Sequence, residues 1–207
     1  MAEPIRDEPA PVAVGNSDVV FAGKVWDVRR DEFLYGDHLI IREYVDHTGA
    51  VAVLAMDDEE RVLLIQQYRH PIGARDWEIP AGLLDIEGED PLVGAQRELA
   101  EEADLAAADW SLLSEIQTTP GGSNESIRIY LARGLSAKAP FARSEEEADI
   151  VTEWVSLDEA VDGVLAHRLA NGILGHAVLS AFAARAKGWA SLGPADAPWT
   201  RHPRSRS

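Results

Sequence analysis

The stretch from Gly82 to Leu105, GLLDIEGEDPLVGAQRELAEEADL, constrains this chain more than any other. It sets a glycine-containing turn directly before a helix that carries Arg97, Glu98, Glu101 and Glu102. On a helical wheel Glu102 falls about 40° to one side of Glu98 and Glu101 about 60° to the other. Three carboxylates therefore share one narrow edge, and like charges at such spacings repel. Leu92, Ala95, Leu99 and Ala103 cluster within about 80° of each other, so the same helix has a buried side. Asp90 is placed to cap the helix and Pro91 to begin it. A charge run on a helix ordinarily faces water, and Arg97 with Glu101 is an ordinary i,i+4 pair. Here the acidic edge lies next to the buried side, at the rim of a core. Carboxylates held there either cost stability or hold a cation. Hard oxygen ligands suit Mg²⁺ or Mn²⁺.

This segment resembles the Nudix box, G-x5-E-x7-R-E-U-x-E-E-x-G-U, where U is a bulky aliphatic residue. Gly82, Glu89, Arg97, Glu98, Leu99, Glu101, Glu102 and Leu105 match it. Two positions depart. Six residues, not five, separate Gly82 from Glu89, and Asp104 stands where the pattern has its late Gly. The extra residue falls in a loop, where insertions are absorbed. Asp tolerates the left-handed conformation of a helix end better than most residues. The resemblance extends over most of the chain and is nearest to the ADP-ribose pyrophosphatase branch of actinobacterial type. Pro120 stands where that branch has a marker proline. Pro120-Gly121-Gly122-Ser123-Asn124-Glu125-Ser126 is similar to its substrate loop. Glu145-Glu146-Glu147-Ala148-Asp149 is similar to the acidic loop that supplies its catalytic glutamate.

The resemblance implies metal-dependent hydrolysis of the pyrophosphate bond of ADP-ribose to AMP and ribose 5-phosphate. The metal ligands would be Glu98, Glu101, Glu102 and the Ala81 carbonyl. Glu98 and Glu102 have Cβ atoms about 5–6 Å apart, a span that suits two metal ions about 3.5–4 Å apart. Glu147 would take a proton from the attacking water or orient it, although Glu145 and Glu146 are spaced too similarly for the sequence to separate the three. Arg97 would hold the glutamates by charge-assisted hydrogen bonds. Glu89 reads as support for the loop. Arg69 could reach a phosphate, Glu78 could accept from adenine or ribose, and Trp77 could stack on adenine, against the plainer roles of surface charge and packing. Gly121 and Gly122 would let the backbone approach the ligand closely, beside Ser123 and Glu125. Two alternatives stay open: hydrolysis of another nucleoside diphosphate derivative, such as a nucleotide sugar or dinucleoside polyphosphate, and a non-catalytic nucleotide-binding protein. Pro120 and its loop argue against the first, and the three intact glutamates against the second.

At 207 residues the chain fits one domain with an appendage. It has no cysteine, which excludes disulfides and thiolate-bound zinc, and its six histidines form no H-x-x-x-H pair. The net charge of −17 argues against nucleic-acid binding. It also opposes an anionic substrate unless divalent metal neutralises the carboxylates locally. No run reaches membrane-span length and no apolar leader opens the chain, so the expected location is the cytoplasm. Residues 1–16 read as a Pro-rich arm, 17–48 as a small β domain, 49–194 as the hydrolase domain and 195–207 as a tail. Strands are expected at Val19 to Val28, Leu39 to Val45, Val51 to Met56, Arg61 to Tyr68, Trp110 to Thr118, Ile127 to Ala132 and Val151 to Val155. Ser156-Leu157-Asp158-Glu159 reads as a capping box, and Asn171 as the cap of a last helix. This order gives α+β. The resemblance makes it a Nudix fold, a mixed sheet between helices, with a small N-terminal antiparallel β domain. Too small to bury its own core, that domain is expected to pack on the rest of the chain or on a second copy. The resemblance implies exchange across a homodimer.

Overall fold

The computed structural model describes residues 4–140 and 149–202. The chain forms two compact units, one of residues up to 47 with 119–124, the other of residues 48–118 with those from 125 onward.

The first unit is an antiparallel meander of β1 (Val14–Ala22), β2 (Asp27–Tyr35) and β3 (His38–Asp46). Gly36 and Asp37 turn β2 into β3, with Tyr35 opposite His38 and Gly36 at φ 60°. The sequence suggested one strand from Val19 to Val28, but the chain turns at Gly23 to Trp26. A Cβ on Gly23 would run into the Trp26 carbonyl, so only glycine fits there. β1 begins at Val14, within the stretch read as an arm, and is exposed along its whole length. The 119–124 segment is fastened to the end of β3. The Val45 N–H donates to the Gly122 carbonyl at 2.9 Å, and the His47 N–H to Asn124 Oδ1 at 2.7 Å.

The second unit carries the core. Its elements are β4 (Ala50–Ala55), β5 (Arg61–Arg69), β6 (Ala74–Glu78), β7 (Ala81–Leu83), α1 (Pro91–Ala103), β8 (Leu105–Gln117), β9 (Ser126–Ala137), β10 (Val151–Ser156), α2 (Leu157–Leu165), α3 (Gly172–Ala186) and β11 (Gly193–Pro194). Five strands join in the order β11-β8-β9-β4-β7, and β10-β5-β6 form a second sheet. The larger sheet is mixed, because β4 pairs parallel with β9 while its other pairs are antiparallel.

β4 explains the layering. It is apolar at every position and fully buried. Ala50, Ala52 and Leu54 point into a cluster with Leu157, Leu174 and Val178 from α2 and α3. Val51, Val53 and Ala55 point the other way, into a cluster with Ala95 and Leu99 of α1. Alternation along one strand thus feeds both faces, and the sheet lies between helices as expected. The caps fall where the sequence places them. Asp90 accepts from the Leu92 N–H, Ser156 Oγ from the Glu159 N–H, and Asn171 Oδ1 from the Leu174 N–H. Asp104 ends α1 in the left-handed conformation, φ 54°. β8 starts at Leu105, five residues earlier than the sequence suggests, because the chain enters the sheet directly from that left-handed residue.

Candidate active site

α1 presents its acidic edge to the turn that precedes it. β7 is held antiparallel to β4, with Ala52 opposite Ala81 and Val51 opposite Gly82. The Ala81 N–H donates to Glu102 Oε2 at 2.9 Å. The Glu98 carboxylate lies against the Cα of Gly82, and a Cβ there would overlap it. The glycine therefore provides the space in which the glutamate sits. Glu98 and Glu102 are buried, which is costly for carboxylates without partners.

Arg97 compensates Glu98, as the Ala81 N–H does Glu102. Its Nε and Nη2 donate to the two oxygens of Glu89 at 3.0 and 3.1 Å. Nη1 donates to Glu98 at 2.5 Å and to Glu101 at 3.0 Å. The hydrogen bonds to Glu89 raise the Arg97 guanidinium above its ordinary value, and the Glu98 charge adds to this, while partial burial opposes it. Glu89 thus anchors the loop to the helix. Gly94 permits this close approach, since a Cβ there would stand 3.0 Å from both Glu89 Oε2 and Leu84 Cδ2.

The residues present fit a hard divalent ion. All donors are oxygens, two of the carboxylates are buried, and the cradle beside Gly82 is one that a Cβ would fill. The carboxylates do not converge in advance. Among the described residues no three His, Cys, Asp or Glu side chains group around one point, because Glu98 and Glu101 turn to Arg97 and Glu102 turns to Ala81. A cavity of about 380 Å³ borders this edge, lined by Gln96, Arg97 and Glu101 of α1 and by Lys138. Lys138 follows β9, and its N–H donates to the Asp104 carbonyl at 2.8 Å. The sequence reading missed it, since nothing in its local pattern points to a helix end thirty-four residues upstream.

The remaining candidates fall in different places. Arg69 and Glu78 form a bidentate pair, with both contacts at 2.7 Å. Glu78 is buried, while Arg69 keeps 42% of its side chain exposed. Trp77 is next to Glu78 on β6 and so faces the other side of the strand. It packs on the cluster under α2 and α3 and lines a cavity of about 180 Å³ with Leu64, Val155 and Leu169. Gly121, Gly122 and Ser123 belong to the first unit. A Cβ on either glycine would meet open space. The Ser123 hydroxyl donates to the Val45 carbonyl at 3.2 Å. Glu125 belongs to the second unit and accepts from the Thr118 hydroxyl. Glu147, with Glu145 and Glu146, lies outside the described residues.

Comparison with known proteins adds to this geometry. A family model described as NUDIX domain matches residues 46–174. The chain is 41% identical over 189 residues to an ADP-ribose pyrophosphatase of Mycobacterium tuberculosis, a match covering 91% of each chain. It is 36% identical to an ADP-ribose pyrophosphatase of Bacillus subtilis, over 69% of this chain and 77% of that one. A methanol dehydrogenase activator of Bacillus methanolicus is also 36% identical, over 74% of this chain and 83% of its own length. Among solved structures, one described as an ADP compounds hydrolase superposes with a TM-score of 0.73. It covers 88% of this chain and 99% of its own at 18% identity, so it speaks for the fold alone.

Proposed function

The chain belongs to the Nudix family, and on that premise we propose that it hydrolyses the pyrophosphate bond of ADP-ribose to AMP and ribose 5-phosphate. The observation that carries this is the identity of 41% over 91% of the chain with an enzyme of that name. The buried acidic edge of α1 supports it, because a protein that only bound nucleotide would have no need of it.

Glu98, Glu101 and Glu102, with the Ala81 carbonyl, would hold Mg²⁺ or Mn²⁺. When bound, such an ion neutralises charge on the diphosphate and lowers the pKa of an attacking water. Arg97 keeps Glu98 and Glu101 oriented, and Glu89 keeps Arg97 in place. Glu147 is assigned the proton of the water. As the new P–O bond forms, the bridging P–O bond breaks and its electron pair leaves on the departing phosphate. Arg69, fixed by Glu78, offers charge to the substrate, and we assign adenosine recognition to Glu78, while Trp77, packed on the cluster under α2 and α3, serves the core. The exposed apolar side chains of the first unit, among them Val19, Phe21, Leu34 and Leu39, support a homodimer in which a second copy covers them. A nucleotide substrate accords with a cytoplasmic location.

The test is product analysis after incubation with ADP-ribose in the presence of Mg²⁺, Mn²⁺ or EDTA. AMP and ribose 5-phosphate should appear only with metal. Glu102→Gln should lose more than the roughly 10–100-fold that removal of a supporting partner costs. No product with either metal would refute the reading.

A further inference from the structure

The box turn of this chain is one residue longer than the family pattern, and the C-terminal segment meets it. After α3 the chain crosses to the outer edge of the large sheet, where Gly193 and Pro194 pair with Leu112 and Ser111 of β8. Residues 195–202, read from the sequence as a tail, continue against the body of the unit. Arg128 of β9, only 2% exposed, donates through Nη1 to the Ala197 carbonyl at 2.7 Å and through Nε and Nη2 to Glu115. Its guanidinium also lies 4.9 Å from the centre of the Trp199 ring. A buried guanidinium needs all such partners, so the segment is tied down from inside the protein.

Trp199 faces the turn from this anchor. It is 9% exposed and packs in the cluster that holds Leu84, Ala95 and Leu99. A cavity of about 340 Å³ is lined by Trp199 and His202 together with Leu84, Ile86, Gly88 and Glu89. Ile86 and Gly88 belong to the lengthened turn itself. A longer turn has more conformations to lose, and Glu89 at its end is the bidentate partner of Arg97. Trp199 thus packs in one cluster with Leu84 at the start of the turn and shares a cavity with Ile86, Gly88 and Glu89, and Glu89 leads to Arg97 and the acidic edge.

We propose that residues 193–202 form a strap that positions the lengthened box turn, with Trp199 as the positioning residue through which Glu89 and Arg97 set the metal-binding edge. The metal half of this rests on the hydrolase reading above. Trp199→Ala is compared with Trp199→Phe and with Val178→Ala, a cavity in the other cluster that controls for destabilisation alone. Two readouts need no turnover: Mn²⁺ affinity by titration calorimetry, and amide exchange of residues 82–90 by mass spectrometry. Trp199→Ala should weaken Mn²⁺ about 10–100-fold and speed exchange in 82–90. Trp199→Phe should restore both, and Val178→Ala should stay within twofold of wild type in both. Equal Mn²⁺ affinity and equal exchange in Trp199→Ala and Val178→Ala would overturn the strap. If wild type binds no Mn²⁺, the metal reading fails and exchange in 82–90 alone decides the strap. Should Trp199→Ala not fold, Trp199→Leu is measured in its place against the same two criteria.

Discussion

Gly82 and Arg97 show how single residues set the acidic edge. With the Glu98 carboxylate resting on the Gly82 Cα, Gly82→Ala should push Glu98 aside. The expected result is loss of turnover by about 100-fold with a far smaller change in melting temperature, read from kinetics and calorimetry together. Arg97→Lys keeps the charge but cannot serve Glu89, Glu98 and Glu101 at once. It should lower kcat by roughly 10–100-fold, and a kcat unchanged within twofold would sink the clamp. In the first unit, burial and then the Asp31 charge and hydrogen bond push Tyr44 up to about 12 from its ordinary 10.0. A phenol whose pKa is raised on folding stabilises below its unfolded pKa, and that contribution is lost as pH rises through the folded value. Stability should therefore fall between about pH 10 and 12, and Tyr44→Phe should remove that part of the slope in denaturant titrations.

Elements end where local chemistry ends them, and this is what made the second unit readable in advance. Asp104 is a non-glycine residue at φ 54°, so Asp104→Gly should raise stability by up to about 1 kcal/mol. Asn171 caps α3 through Oδ1 and also donates to Asp76 on β6 at 3.1 Å. Asn171→Ala should cost about 1–2 kcal/mol in chemical denaturation, and a loss below about 0.5 kcal/mol would show that the cap does not hold α3 to the sheet. The α1 edge, the three caps and most strands were legible because helical period, capping residues and alternation are written within a few positions. The Gly23 turn was not, because its demand comes from the Trp26 carbonyl folding back. Nor was the side of β6 that Trp77 faces, which depends on what packs beneath the sheet. Arg128 and the Ala197 carbonyl sit at opposite ends of a long stretch of chain, and no local pattern announces their meeting.

The whole molecule carries strong negative charge and an exposed apolar sheet in its first unit. If a second copy covers that sheet, sedimentation should give twice the mass of one chain, and Phe21→Glu with Leu39→Glu should shift it to the mass of one. A single-chain mass for wild type across micromolar concentrations would refute the dimer. Charge makes a separate prediction: without divalent metal, ADP-ribose should bind too weakly to detect by calorimetry, and added Mg²⁺ should restore binding to Glu147→Gln. The strand that feeds both faces of the core has its own consequence for synthesis. β4 leaves the ribosome early, yet its parallel partner starts at Ile127 opposite Ala50. At usual elongation rates that partner emerges roughly 4–15 s later. For that interval a strand with no polar residue on either face has only β7 within reach on one edge and waits for its parallel partner on the other.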